Sequence, residues 1–169
     1  LYNIFTFAKK EFMKKLIFIL FATILFNACN VGYNKDFMTG LEVSYKGLSS
    51  EEIFLTANGR KLSTNEVGLN TDLVCFFQGV RGYQLNDNLA YIGASMILTD
   101  SDGNELLNEA DLFSYYDDEG LTPEDLSSLS LSLTTGSPME VGEEYNLQMK
   151  IWDKKGTGEI NASVSLKIK

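Results

Sequence analysis

Beyond residue 40 the chain reads as all-β, an antiparallel sandwich of about seven or eight strands. Three features of the sequence lead there. No stretch sustains the apolar repeat of a helix. Short segments instead alternate apolar and polar residues, which places one face of each segment in a core. Asn, Asp and Gly break these segments at short intervals, as turns require. With 169 residues, 44% of them hydrophobic and 22% charged, a single domain can bury a core without disulfides or a structural metal.

Leu41, Val43 and Tyr45 alternate with polar neighbours and define a first strand. Ile53 and Leu55 lead into Asn58-Gly59, a dipeptide whose residues both accept the positive φ of a tight hairpin turn. The run from Leu73 to Val80 is rich in aromatic and β-branched residues, and its pattern predicts a strand covered on both faces. Ile92, Ala94, Met96 and Leu98 alternate up to the turn Asp100-Ser101-Asp102-Gly103. Thr122-Pro123-Glu124-Asp125 combines a capping hydroxyl, a proline and acids, which predicts one short helical turn near Leu126. Leu129, Leu131 and Leu133 alternate with outward-facing serines. Tyr145, Leu147, Met149 and Ile151 share a face, a turn follows from Asp153 to Gly158, and Ile160, Ala162, Val164, Leu166 and Ile168 complete a closing hairpin.

The spacing Gly142-x-x-Tyr145-x-Leu147 resembles the tyrosine corner of immunoglobulin-like and fibronectin-like sandwiches. The resemblance spans Ser137 to Lys169 and implies an immunoglobulin-like fold, with no activity attached, because that architecture hosts many unrelated functions.

The amino-terminal residues speak to location. Met13, Lys14 and Lys15 form a positive segment, and Leu16 to Phe26 is an apolar run broken only by Thr23. This is the pattern of a signal-peptide helix, and it stops well short of the ~20 apolar residues that cross a bilayer. A second basic pair, Lys9 and Lys10, lies upstream, and Met13 is read as the translation start. Leu25-Phe26-Asn27-Ala28-Cys29 resembles the lipobox of bacterial lipoproteins of the Bacteroidetes type. The family prefers leucine where Phe26 stands and a small residue where Asn27 stands, while Ala28 and Cys29 fit. The resemblance implies cleavage before Cys29, diacylglyceryl transfer to its thiol and acylation of the new amino terminus. It follows that residues 1–28 are a signal peptide, 29–40 a lipidated tether and 41–169 the sandwich. The expected location is the bacterial cell envelope, anchored to the outer membrane on its periplasmic or surface face. More than one acyl chain makes such an anchor stable, at about 0.8 kcal/mol per buried methylene.

The whole sequence carries 14 basic and 23 acidic residues, and removal of residues 1–28 leaves 10 and 22, a net charge of −12. Between Arg81 and Lys150 there is no Lys or Arg but there are 14 Asp and Glu. Phosphate contacts need a basic surface, so nucleic acid is excluded as a partner. The sequence has no histidine. Serine triads, Cys-His dyads and the usual zinc sites are therefore excluded.

Two loops hold candidate sites. Asp100, Asp102 and Asn104 offer alternating oxygens that could wrap calcium, but the glycine comes too early for an EF-hand and no flanking helix is expected. A plain hairpin turn accounts for the same residues and is preferred. Tyr115, Tyr116, Asp117, Asp118 and Glu119 place adjacent aromatics beside three carboxylates, a set able to stack a sugar, bind calcium or meet a basic protein. The plainer reading is a solvated acidic loop with one tyrosine packed inward. Cys75, in an apolar run with no histidine to activate it, is expected to be a buried, inert thiol. Trp152 at a strand end reads either as a binding aromatic or as packing. The pattern Asn161-x-Ser163 falls inside the closing strand and carries little meaning in a bacterium. No catalytic constellation is visible. The function expected is that of a noncatalytic binding or assembly module without a cofactor. Its partners would be the membrane, through the lipid, and an envelope protein or a glycan. The alternatives are a carbohydrate-active hydrolase using Asp or Glu and a structural subunit of a pilus or adhesin.

Overall fold

The computed structural model describes residues 31–169. The expected signal-peptide helix and the expected lipidation site, Cys29, lie outside the described residues. Eleven strands are present among the described residues. In chain order they are β1 (Val31–Lys35), β2 (Glu42–Lys46), β3 (Glu52–Ala57), β4 (Arg60–Lys61), β5 (Glu66–Val67), β6 (Asp72–Gln78), β7 (Ile92–Thr99), β8 (Glu105–Glu109), β9 (Ser128–Thr134), β10 (Glu144–Asp153) and β11 (Glu159–Ile168). They form a seven-stranded sheet in the order β1-β2-β11-β10-β7-β8, with β5 also on β11, and a four-stranded sheet in the order β4-β3-β6-β9. Every strand pairing is antiparallel except the two-residue contact of β5 with β11.

Strands β3-β6-β9 in one sheet and β8-β7-β10-β11 in the other reproduce the A-B-E and C′-C-F-G orders of an immunoglobulin-like sandwich. The expected tyrosine corner is formed: the Glu140 N–H donates to the Tyr145 hydroxyl at 2.9 Å, just before β10. The two inner faces meet in one core. Leu55, Leu73, Cys75, Phe77 and Leu131 come from the smaller sheet, and Val43, Ala94, Met96, Leu147, Ile151, Ile160 and Leu166 from the larger. The apolar alternation of each expected strand points inward, so those seven strands coincide with the reading from sequence.

The four additional strands explain the difference in count. β4 and β5 are two residues each, too short to show a periodicity. β1 and β8 are edge strands without a fully buried residue, so they carry no apolar alternation to read. Residues 31–35, expected as tether, pair with β2 from Val31 opposite Lys46 to Lys35 opposite Glu42. A second difference concerns β6, which is covered on one face rather than two. Leu73, Cys75 and Phe77 are buried, whereas Val74, Phe76 and Gln78 are half-buried. The outward Phe76 stacks on Phe54 with ring centroids 5.3 Å apart, and this cross-strand pair explains the extra apolar residue.

Local signals act as their chemistry requires. Asn58 and Gly59 take φ of 48° and 76° in the β3–β4 hairpin. The helical turn near Leu126 is a single 3-10 turn, Asp125–Ser127, with Leu126 buried as a plug. Just before it, Thr122 and Asp125 bond reciprocally: the Thr122 hydroxyl donates to Asp125 Oδ2 at 2.7 Å and accepts from the Asp125 N–H at 3.3 Å. Among the described residues no helix is long and apolar enough to cross a membrane.

Candidate binding face

The aromatic and acidic loop sits beside the end of β7. Asp111 Oδ1 accepts the N–H groups of Ala94 at 3.2 Å and Phe113 at 3.0 Å, which folds the segment after β8 back along β7. Lys154 then ties the loop down through Asp111 Oδ2 at 2.5 Å and through Asp117. Burial opposes ionisation of Asp111, but its hydrogen bonds from Lys154, Phe113 and Ala94 hold the carboxyl below its ordinary value. The inward aromatic is Phe113, packed against the core. Neither tyrosine is inward: Tyr115 is 82% exposed and Tyr116 36%, in an edge contact with each other at 5.5 Å. Asp118 and Glu119 are exposed. Asp117 is thus engaged by a lysine, and the loop is a braced structure with one free tyrosine at its tip.

Asp100 spends its carboxylate inside its own turn. Oδ1 accepts the N–H groups of Asp102 at 3.0 Å and Asn104 at 2.8 Å, and Oδ2 accepts the Asn104 side-chain amide at 2.9 Å. These bonds, the Asn104 side chain first, hold its pKa below the ordinary value. The fold does bring this turn to the loop before β10, where Asp100, Asp102, Glu105, Glu140, Glu143 and Glu144 border one open groove of about 540 Å³. No group of three metal-ligating side chains is positioned to hold an ion among the described residues. Cys75 is 1% exposed, and burial pushes its thiol pKa up, as its apolar setting implies.

The arrangement that sequence reasoning missed is the outer face of the seven-stranded sheet. Strand register sets its side chains in rows. One row runs Tyr33, Ser44, Asn161, Lys150 and Ser95 across β1, β2, β11, β10 and β7. The next runs Lys35, Glu42, Ser163, Gln148, Ile97 and Asn108. All of these residues except Lys35 and Asn108, together with Asn146, line an open trough of about 370 Å³. Its charges are paired: Lys150 with Glu159 at 2.6 Å and Lys35 with Glu42 at 2.5 Å. A hydrogen bond from Lys150 lowers the Glu159 pKa, and one from Lys35 lowers that of Glu42. What remains is carboxamide and hydroxyl, groups that donate and accept hydrogen bonds without net charge.

A third row, Val31, Lys46, Glu159, Trp152 and Gly93, lies two residues along the strands from the first, next to the trough. Trp152 lies over Gly93: a Cβ on that glycine would meet indole carbons at 2.2 Å. The absence of a side chain there lets the ring rest on the sheet, where it stays half-buried. The alternation of β10 and β11 already put Trp152, Gln148 and Asn161 on one outward face. What was hidden was that β2 and β1 continue that face beyond β11.

The fold and the face define an immunoglobulin-like β-sandwich with a polar, charge-compensated sheet surface. Among solved structures the chain is similar to the crystal structure of the C-terminal domain of wzt, with a TM-score of 0.51 and 11% identity, covering 85% of this chain and 79% of that one. At that identity the likeness establishes the fold alone. No family model and no curated protein matches the chain.

Proposed function

We propose that this chain is a noncatalytic binding module of the bacterial cell envelope, lipid-anchored at Cys29, whose binding surface is the outer face of the seven-stranded sheet. The observation that carries this reading is the trough itself: three carboxamides, Asn146, Gln148 and Asn161, and three hydroxyls, Ser44, Ser95 and Ser163, gathered from four strands in one concave surface. A bacterial envelope address comes from the resemblance of Leu25 to Cys29 to a lipobox. The hydrolase reading finds less support. A general acid needs a carboxyl raised toward neutrality, and the shifts at Asp100, Asp111 and Glu159 run downward.

The test has two arms. Cells producing the full chain are fractionated beside a Cys29→Ala variant; the wild type is expected in the membrane pellet and the variant in the soluble fraction. Purified full chain is also applied to envelope fragments of the same cells. Retention is expected to fall at least tenfold in a Gln148→Arg, Asn161→Arg double variant of unchanged melting temperature. A variant still pelleted with membranes contradicts the anchor, and undiminished retention contradicts the face.

A further inference from the structure

We infer that the ligand of this face is an uncharged glycan chain and that Trp152, seated on Gly93, is its stacking platform. The inference rests on the binding-face reading above. Charge argues first. In a chain with 23 acidic and 14 basic residues, the three rows set Lys35, Lys46 and Lys150 against Glu42 and Glu159, and two ion pairs consume most of that charge. The trough thus lacks both the cationic cluster that an acidic polymer requires and the free carboxylates that a basic peptide requires. Such carboxylates are gathered elsewhere, around Asp100 and Glu140.

Hydrogen-bonding chemistry argues next. A carboxamide presents donor and acceptor side by side, which matches the paired hydroxyls of a pyranose, and the neighbouring serines can accept or donate by rotation. The C–H faces of a sugar ring are apolar and pack on an aromatic plane. Trp152 supplies one such plane in the row beside the trough, next to Lys150, and Tyr33, 65% exposed, supplies a second aromatic on β1. The two stand three strand spacings apart across the sheet and one row apart along it, about 16 Å, the reach of a short oligosaccharide. The trough is open to solvent, which suits a chain passing across it better than a small enclosed molecule.

The experiment uses full chain in detergent and affinity electrophoresis through gels containing a neutral mannan, a neutral glucan, a neutral galactan or anionic polygalacturonate. At least one neutral polysaccharide is expected to retard the wild type. Trp152→Ala is expected to weaken that retardation at least tenfold, and so is Gly93→Ala, which keeps the indole but displaces it. Tyr115→Ala, on the braced loop, is expected to leave it unchanged. Asn161→Ala, an outward residue, gives the same loss without touching the core, and melting temperatures show that each variant is folded. Absence of retardation by all three neutral polymers overturns the glycan inference. Preference for polygalacturonate, abolished by Gln148→Arg, overturns the inference but keeps the face as the binding surface. Neutral binding that is indifferent to Trp152, Gly93 and Asn161 overturns both.

Discussion

The backbone N–H of Glu140 donates a 2.9 Å hydrogen bond to the hydroxyl of Tyr145, pinning the loop before β10 to the strand it feeds. Tyr145 is buried, and removal of its hydroxyl takes away the protein partner of that N–H. Tyr145→Phe is expected to cost about 1 kcal/mol, and Tyr145→Leu, which also opens a cavity, about 3 kcal/mol. Thermal melting checks both. A Tyr145→Phe protein as stable as the wild type would show that the corner bond does not hold this loop.

Lys154 and Asp111 brace the aromatic loop, and the brace carries a pH signature. The Asp111 carboxyl is held below its ordinary value of 3.8. A lowered carboxyl stabilises the fold above its unfolded value and loses that contribution as pH falls through the folded one. Asp111→Asn is therefore expected to cost about 2 kcal/mol at neutral pH, through weakened charged hydrogen bonds. The gap between variant and wild type should shrink as the pH is taken below the ordinary carboxylate value. Urea melts at neutral and acidic pH measure it, and a gap that stays constant would contradict the assignment.

The turn that opens with Asp100 is expected to behave as a turn. Its carboxylate already accepts from Asp102 and Asn104. Calcium and chelator should give the same melting temperature, while Asp100→Ala should lower it. A rise with calcium that disappears in Asp100→Ala would place a cation there instead.

Cys75 lies at 1% exposure inside β6, and its thiol pKa is raised by burial. Reaction needs the thiolate at the surface. An aromatic disulfide reagent is expected to leave Cys75 unlabelled in native protein and to label it fully in guanidinium, with Cys29→Ala used so that a single thiol is followed. Rapid labelling of the native protein would mean that this end of the core opens readily.

How far the fold was legible depended on burial. Ile160 to Ile168 and Tyr145 to Ile151 announced their strands because a residue on every second position had to enter the core. β1 and β8 gave no such signal, because neither edge strand places a fully buried residue at alternate positions and each is held largely by its ladder. Phe76 misled because a cross-strand stack on Phe54 can keep an aromatic on an outer face. The candidate site was legible only in pieces. Trp152 stood out by type, but Gly93 and Ser44 become meaningful only when register sets them beside β10 and β11, and pairing between distant segments is a property of the folded chain. The Tyr115 loop drew notice by composition, whereas its lysine brace comes from the β10–β11 turn.

The central claim is that the polar trough binds, and the carboxamide groups themselves can report it. Side-chain NH₂ resonances of Asn146, Gln148 and Asn161 and the indole N–H of Trp152, followed by NMR in the full chain during titration with envelope polysaccharide, test it most directly. The account predicts shifts at these four residues and at Ser95, with the resonances of Tyr115 and Asp118 unmoved. Shifts confined to the Asp111–Gly120 loop, or to the groove around Asp100 and Glu140, would contradict it.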